Sequence, residues 1–380
     1  MIQILDKKDC CGCHACAVIC AKRCITMRED NEGFLYPDVD VEACINCGLC
    51  EKVCPIINHN EPRRPLKVYA AKNRNEEIRR QSSSGGIFTL LAETVINNNG
   101  VVFGAKFDSD WNVVHSWTES LEDVAAFRGA KYVQSVIGNT YREAKAFLQQ
   151  GRQVLFSGTP CQIAGLKKYL HREYENLLTV DVVCHGVPSP LFWRTYLLKL
   201  NNEKTPISYV NLRSKKRGWS QYSYVIKTGN KVLYDDYAYK SEFSQGFSLN
   251  LTIRPSCYSC VAKSGSSFSD ITLADCWGID KLQFDGNDNK GVSAVLIYTQ
   301  KGVSLLSDSM SIQQTMPLEY DFVIDNNKSI VSSAYKPYCR AMFWERVPLV
   351  GIKAVTEVKD KLRRNIIFRI YNKIRTHYIR

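Results

Sequence analysis

Between residues 66 and 206, short apolar runs alternate with segments whose apolar positions recur at helical spacing. Val101–Phe107, Gln153–Phe156 and Leu177–Val183 read as buried strands, and Gly86–Ile96, Asn139–Gln149 and Pro160–Tyr169 read as helices. Such alternation predicts an α/β layer structure. From Ile207 the pattern becomes strand-rich, and Tyr222–Lys227 and Lys231–Tyr234 flank Thr228-Gly229-Asn230, a hairpin signal. Ile271–Leu273 and Ala294–Tyr298 read as further buried strands. Near the start, Ile25–Met27 and Phe34–Tyr36 flank the turn signal Asp30-Asn31-Glu32-Gly33, which predicts two short strands. At the other end, Val358, Leu362, Ile366, Ile370 and Ile374 recur every fourth residue with basic residues between them, the pattern of an amphipathic helix.

Size and charge narrow this picture. A chain of 380 residues holds two or three domains at roughly 100 to 200 residues each. The net charge of +12 raises the question of nucleic acid, but Lys353 to Arg380 contribute nine Lys/Arg against Glu357 and Asp360, or +7. The remaining +5 is too diffuse for a nucleic-acid surface. The basic helix either packs on its own domain with a solvated face or docks on an anionic membrane or an acidic partner. No run of about 18 apolar residues occurs, and Met1 to Asp9 are too short an apolar stretch for a secretion signal. The expectation is a cytoplasmic protein whose thiols stay free for metal.

Those thiols carry the chemistry. Cys10, Cys13, Cys16 and Cys20 are repeated as Cys44, Cys47, Cys50 and Cys54, and Pro55 follows the second set. The spacing C-x2-C-x2-C-x3-C is that of bacterial ferredoxins with two 4Fe-4S clusters, in which the fourth cysteine serves the neighbouring cluster. Cys10, Cys13, Cys16 and Cys54 are therefore assigned to one cluster, and Cys44, Cys47, Cys50 and Cys20 to the other. Structural zinc prefers ligands in two separated pairs and fits this run poorly. Ala21 stands where proline usually follows the fourth cysteine, and Cys11 and Cys24 are surplus and read as small packing residues.

The predicted fold class is α+β / α/β. A bacterial-type two-cluster ferredoxin module occupies 1–60 and a linker follows at Asn58 to Pro65. A mixed α/β region runs over 66–206, a second part with a C-x2-C loop and a strand-rich insert over 207–350, and the basic helix over 351–380. A module of about 60 residues buries little apolar surface, so its clusters must help hold it together.

A second cysteine constellation lies beyond the module. Cys161 follows a hydrophobic strand, Gly158, a Thr159 N-cap and Pro160 at the first helical position, so it sits where amides and the helix dipole favour a thiolate. Cys184 ends the next strand, and α/β sheets place their sites at such strand ends. With Cys257 and Cys260 these make a candidate third 4Fe-4S site, zinc or no metal being the alternatives. His185 reads as a neighbouring or core histidine, and Cys276 and Cys339 as structural.

Several stretches taken together resemble the family of coenzyme F420 hydrogenase/dehydrogenase beta subunits over nearly the full chain. They are Ser82-Ser83-Ser84-Gly85-Gly86, Arg128 to Ser135, Gly158-Thr159-Pro160-Cys161-Gln162, Cys184-His185-Gly186, the Cys257/Cys260 pair and Asp270 to Gly278. The resemblance implies an FAD-binding iron–sulfur oxidoreductase whose catalytic region exchanges electrons between clusters and flavin. Its members include deazaflavin-oxidising subunits of methanogen enzymes and a plant chlorophyll reductase. Ala274, where glycine is frequent, departs from the pattern. The resemblance points to Ser83, Ser84, Gly85, Gly86, Lys131, Tyr132, Asp275 and Trp277 as FAD contacts. The residues themselves allow plainer readings: an ordinary N-cap for the small-residue turn, a solvated lysine, a strand end. A flavin would convert single electrons into the pairs that organic reductions need. Neither G-x-G-x-x-G nor C-x3-C-x2-C occurs, which argues against a pyridine-nucleotide Rossmann site and radical SAM chemistry. The expected partners are a ferredoxin or a partner redox subunit and a small-molecule or deazaflavin substrate. The alternatives are a relay subunit without its own substrate site, or a redox sensor or assembly protein.

Overall fold

The computed structural model describes residues 1–201, 205–284, 288–309 and 313–364. Its strands are β1 (Ile25–Glu29), β2 (Leu35–Val39), β3 (Lys67–Asn73), β4 (Val101–Phe107), β5 (Val113–Thr118), β6 (Val154–Gly158), β7 (Leu177–Val182), β8 (Tyr209–Ser214), β9 (Ser223–Thr228), β10 (Lys231–Tyr237), β11 (Ile271–Asp275), β12 (Ser293–Ile297) and β13 (Gln313–Pro317). Eight of them form one sheet in the order β13-β3-β12-β11-β7-β6-β4-β5. The inner four, β11, β7, β6 and β4, run parallel, while β12, β3, β13 and β5 close the two sides antiparallel. The sheet thus draws strands from both sides of residue 206.

Side-chain alternation splits the inner strands between two cores. Val102, Leu155, Leu178 and Val180 pack under the helices Ile87–Asn97 and Gln300–Asp308. On the other face, Val101, Phe103, Val154 and Phe156 pack with the helices Thr140–Gln149 and Pro160–Leu170. Cys11, Cys13, Ala15, Val18 and Val53 of the N-terminal module join that second core. The expected strands and helices of the inner layer form within a residue or two of their sequence positions. β5 and β13, the two edge strands, escaped the periodicity reading because edge strands lack a continuous apolar run, and β3, paired on both sides between β13 and β12, was missed as well.

The strand-rich segment forms the antiparallel sheet β10-β9-β8, with Thr228 and Lys231 paired across the expected turn. It packs on the helices Pro190–Leu200, Glu242–Ser248, Arg340–Val350 and Ala354–Arg364. Val358 and Leu362 of the amphipathic C-terminal segment are buried there. Ile366, Ile370 and Ile374 lie outside the described residues. A truncation that tests membrane docking of the basic tail should therefore end at Arg364, leaving this packed turn intact.

The module is bolted to the body. Arg340 forms a bidentate ion pair with Glu32 of the β1–β2 turn, and both side chains are about nine-tenths buried. Arg254 donates to Cys10 O at 2.7 Å and Leu35 O at 2.9 Å, and lies 4.2 Å from the Tyr36 ring centre. The segment read as a linker is also fixed, because Arg63 donates to Gly265 O at 3.1 Å and lies against the Phe268 and Tyr298 rings.

Candidate metal centres

Tight left-handed turns start the module. Gly12 (φ 68°) and His14 (φ 65°) turn the backbone before the short helix Ala15–Ile19, which carries Cys16. Cys10, Cys13, Cys16 and Cys54 line one cavity, with Ile2, Ile4, Met27 and Ile56 as its apolar wall. All four thiols are buried. Burial pushes Cys16 up to about 12 and raises Cys54 as well. Thiols in such a pocket ionise only beside strong positive charge, and a metal centre supplies it by deprotonating its thiol ligands. His14 is pushed down to about 4 by burial and then by the Arg254 charge, so it stays neutral. A helix passes directly over this pocket: a Cβ at Gly165 would stand 3.0 Å from Cys13 Sγ, so only glycine fits there.

The other assigned set is open to solvent. Cys20 and Cys44 are partly buried, Cys50 is buried and Cys47 is exposed. Backbone amides of Ile2 and Asn46 reach Cys50 Sγ and Cys44 Sγ at 3.3 and 3.4 Å. Such N–H to sulfur bonds stabilise thiolate character. The surplus Cys24 is buried in the module's small core, its sulfur 3.4 Å from Cys20 Sγ.

The distant cysteines come together as well. Cys161, Cys184, Cys257 and Cys260 line a cavity enclosing about 740 Å³, part of it open to solvent. β6 and β7 are adjacent and parallel, so Cys161 and Cys184 leave neighbouring strand ends, and the turn Pro255–Ser259 brings Cys257 to meet them. The expected N-cap forms, with the Thr159 amide donating to Gln162 Oε1 at 3.0 Å, and places Cys161 in the first turn. Burial raises Cys184 to about 12 and raises Cys257 and Cys260, each further raised by its neighbouring thiols. Among the described residues no three His, Cys, Asp or Glu side chains converge closely enough for a single ion. The four thiols line one cavity, and such a set can serve a multinuclear cluster or a zinc tetrahedron with sulfurs about 2.3 Å from one atom. Lys263 Nζ donates to Cys184 O at 2.6 Å and so keeps a positive charge at the cavity edge. His185 lines the same cavity but its Nε2 is engaged with Asn250 Oδ1 at 2.6 Å.

Cys11 and Ile56 line both cavities, and the Cys11 thiol contacts those of Cys13 and Cys161. The packing role read for Cys11 from spacing thus becomes a shared wall between two thiol sets.

The residues proposed for flavin lie at the C-terminal ends of β3, β4 and β11 and beside β8. Arg213 on β8 is the hub that sequence reasoning missed. Its Nη1 donates to Tyr132 Oη and its Nη2 to Asp275 Oδ2, both at 2.7 Å, and its guanidinium lies 4.1 Å from the Tyr222 ring centre. Arg213 Nε is buried with no hydrogen-bond partner among the described residues. Trp277 stacks on Trp219 at 4.7 Å, and Trp219 Nε1 donates to Asp275 Oδ1 at 2.9 Å. Part of the small-residue turn is committed to the sheet: Ser84 Oγ donates to Val292 O at 2.8 Å and the Gly85 amide to Ser293 Oγ at 3.0 Å. Gly86 (φ 83°) caps the helix Ile87–Asn97, and Ser83 is half-buried beside it. Lys215 Nζ donates to Ser84 O at 2.8 Å, which links this turn to β8. Lys131 turns back on its own loop, donating to Arg128 O at 2.9 Å, and is not a freely solvated lysine. Burial pushes both Lys131 and Lys215 down to about 7. A helix N-terminus, two desolvated lysines, an orphaned guanidinium N–H and an indole pair together fit an anionic, aromatic ligand.

This fold and these thiols define an iron–sulfur redox protein. Residues 9–56 match the 4Fe-4S dicluster domain, and residues 151–316 match the family described as the C terminus of the coenzyme F420 hydrogenase/dehydrogenase beta subunit. The protein is an iron–sulfur redox protein related to those beta subunits, as its motifs indicated. The F subunit of the F(420)H(2) dehydrogenase of Methanosarcina mazei is 24% identical over 48% of this chain and 55% of its own length. The coenzyme F420-dependent sulfite reductase of Methanocaldococcus jannaschii is 25% identical over 52% of this chain and 31% of its own length. The chain thus spans about half of the first relative and a third of the second. Within the module, an uncharacterised ferredoxin of Methanocaldococcus jannaschii is 38% identical over 14% of this chain and 66% of its own length. Among the described residues no helix is long and apolar enough to cross a membrane.

Proposed function

We propose that the protein is an iron–sulfur flavoprotein oxidoreductase that moves electrons between its ferredoxin module and a two-electron organic substrate, coenzyme F420 or another acceptor. One observation carries the reading: an exposed thiol set, a buried set and a third set follow one another, and the last two share the wall made by Cys11 and Ile56. The names of two relatives, one a component of an F420H2 dehydrogenase and the other an F420-dependent sulfite reductase, support a deazaflavin as substrate class. In this reading Cys47 marks the port for a ferredoxin or a partner redox subunit, in a reducing compartment such as the cytoplasm. When bound, the clusters supply single-electron carriers and FAD converts them to electron pairs. The chain's own residues bind and orient. The start of helix Ile87–Asn97 faces the ligand's phosphates, with Lys215 behind it fixing that turn through Arg79 O, Ser84 O and Lys290 O, Arg213 Nε donates to the ligand, and the Trp219–Trp277 pair offers a stacking face.

The direct test is spectroscopic. Anaerobically reconstituted protein is expected to retain FAD and to lose its flavin absorbance on addition of reduced ferredoxin or dithionite. Protein that loads iron but no flavin would remove the flavoprotein reading.

FAD affinity should also depend on pH. Lys131 and Lys215 are pushed from 10.5 to about 7 in the unliganded protein, and an anion beside them restores the charged form. Binding therefore takes up protons, so affinity rises as pH falls from about 10 towards 7 and levels off below that. Flavin fluorescence titrations across this range should show the slope, and Lys215→Met should flatten it.

A relay subunit without its own substrate site is the second reading, favoured by the first relative's being one component of a larger dehydrogenase. Turnover by the isolated chain excludes it; co-purification with a second redox subunit and no turnover alone supports it.

A further inference from the structure

Arg254 is fully buried, and none of its hydrogen bonds among the described residues goes to a carboxylate. Its Nη2 reaches Cys10 Sγ at 3.4 Å and its Nη1 donates to Gln134 Oε1 at 2.9 Å. A buried cation without an acidic partner is costly, so the site is built for a negative charge held elsewhere. The group that can hold it here is the thiol set containing Cys10. The surroundings are made to fit: a Cβ at Gly12 would stand 2.7 Å from Arg254 Nη1, so glycine leaves room for the guanidinium. The same residue starts the turn that carries the next site's Cys257, whose amide donates to Arg254 O at 2.9 Å. Other ionisable groups on this cavity are the exposed Asp9, the neutral His14 and the buried Cys11 thiol.

We propose that Arg254 holds the reduction potential of the Cys10/Cys13/Cys16/Cys54 centre above that of the Cys20/Cys44/Cys47/Cys50 centre, so that electrons entering at the exposed set run inward. The inference rests on the reading that both sets hold 4Fe-4S clusters. An added electron increases negative charge, and burial penalises that increase, so without compensation the buried centre would be the harder to reduce. The exposed centre has water to stabilise its charge. A guanidinium donating to Cys10 Sγ opposes the burial term, since hydrogen bonds to cluster sulfurs and local net charge set the potential. The step it biases is one electron leaving the exposed centre and arriving at the buried one, without bond or proton change. The primary reductant is a low-potential one-electron donor of the ferredoxin type.

The test is an anaerobic redox titration of the full chain followed by electron paramagnetic resonance, with iron and labile sulfide counted in each sample. In the unaltered protein the buried centre should reduce first. Arg254→Gln should lower its reduction equilibrium constant at least tenfold, equivalent to about 59 mV for a one-electron couple, and leave the exposed centre unmoved. Gln134→Glu sets a carboxylate against Nη1 and should shift the same centre in the same direction with the guanidinium still in place. If Arg254→Gln does not fold, this second variant decides. Intact clusters with an unmoved potential, or an exposed centre that reduces first in the unaltered protein, overturn the proposal. Cys10→Ser identifies the centre concerned; unchanged iron and spectra in that variant would instead overturn the cluster assignment itself.

Discussion

A chain carrying Cys257→Ser and Cys260→Ser is expected to hold about eight irons where the unaltered chain holds about twelve, one 4Fe-4S cluster fewer. Serine is nearly the size of cysteine but offers a hard hydroxyl in place of a soft thiolate, so iron–sulfur ligation is lost with little change in packing. The turn Pro255–Ser259 is held by backbone, through the Cys257 amide on Arg254 O, and should persist. Reduction of bound flavin by an external ferredoxin should then fail, while direct chemical reduction of the flavin continues. The variant would thus separate electron delivery from flavin binding. An unchanged iron count, with an unchanged circular dichroism spectrum, would mean that the four distant cysteines hold no cluster.

Arg340→Leu should be the most damaging single change to the fold outside the cysteines. It leaves the buried Glu32 carboxylate without the bidentate partner that neutralises it, a defect costing about 3–5 kcal/mol. Arg340 also donates to Ile253 O at 3.0 Å and to Tyr258 Oη at 2.8 Å, so the segment that leads into Cys257 loses support with it. The effect should appear as a large drop in the denaturant midpoint and earlier proteolysis of the N-terminal module. Glu32→Gln combined with Arg340→Met removes both charges and should recover part of the loss. If the single and double variants are equally unstable, the ion pair is not what fastens the module.

The module's thiols were legible because each set is confined to a short stretch of chain, so spacing alone constrains where the sulfurs go. The turn before Cys161 was legible for a similar reason: a strand, a Thr–Pro cap and a helix start are local signals. The residues that fasten and charge the sites were not. Arg254 and Arg340 are solitary basic residues in the sequence, Arg213 and Lys215 sit in the short basic run Arg213 to Arg217 that reads as a solvated stretch, and no periodicity marks any of them. Their partners lie far away along the chain: Arg254 reaches Cys10 and Gln134 across 244 and 120 positions. The same distance explains Cys11. Spacing excludes it as a ligand of the module, yet its place between two cavities depends on a helix that begins at Pro160.

What the chain's order of residues settled by itself is the ferredoxin-type cysteine spacing of the module and the inner α/β layer, because both follow from short-range repeats of about two to four positions. What folding alone decided is which thiol set is wet and which dry, which two share a wall, and where the buried positive charge without a carboxylate partner sits. Those are properties of solvent exclusion and long-range contact, and they exist only once the hairpin of the module has docked on the body.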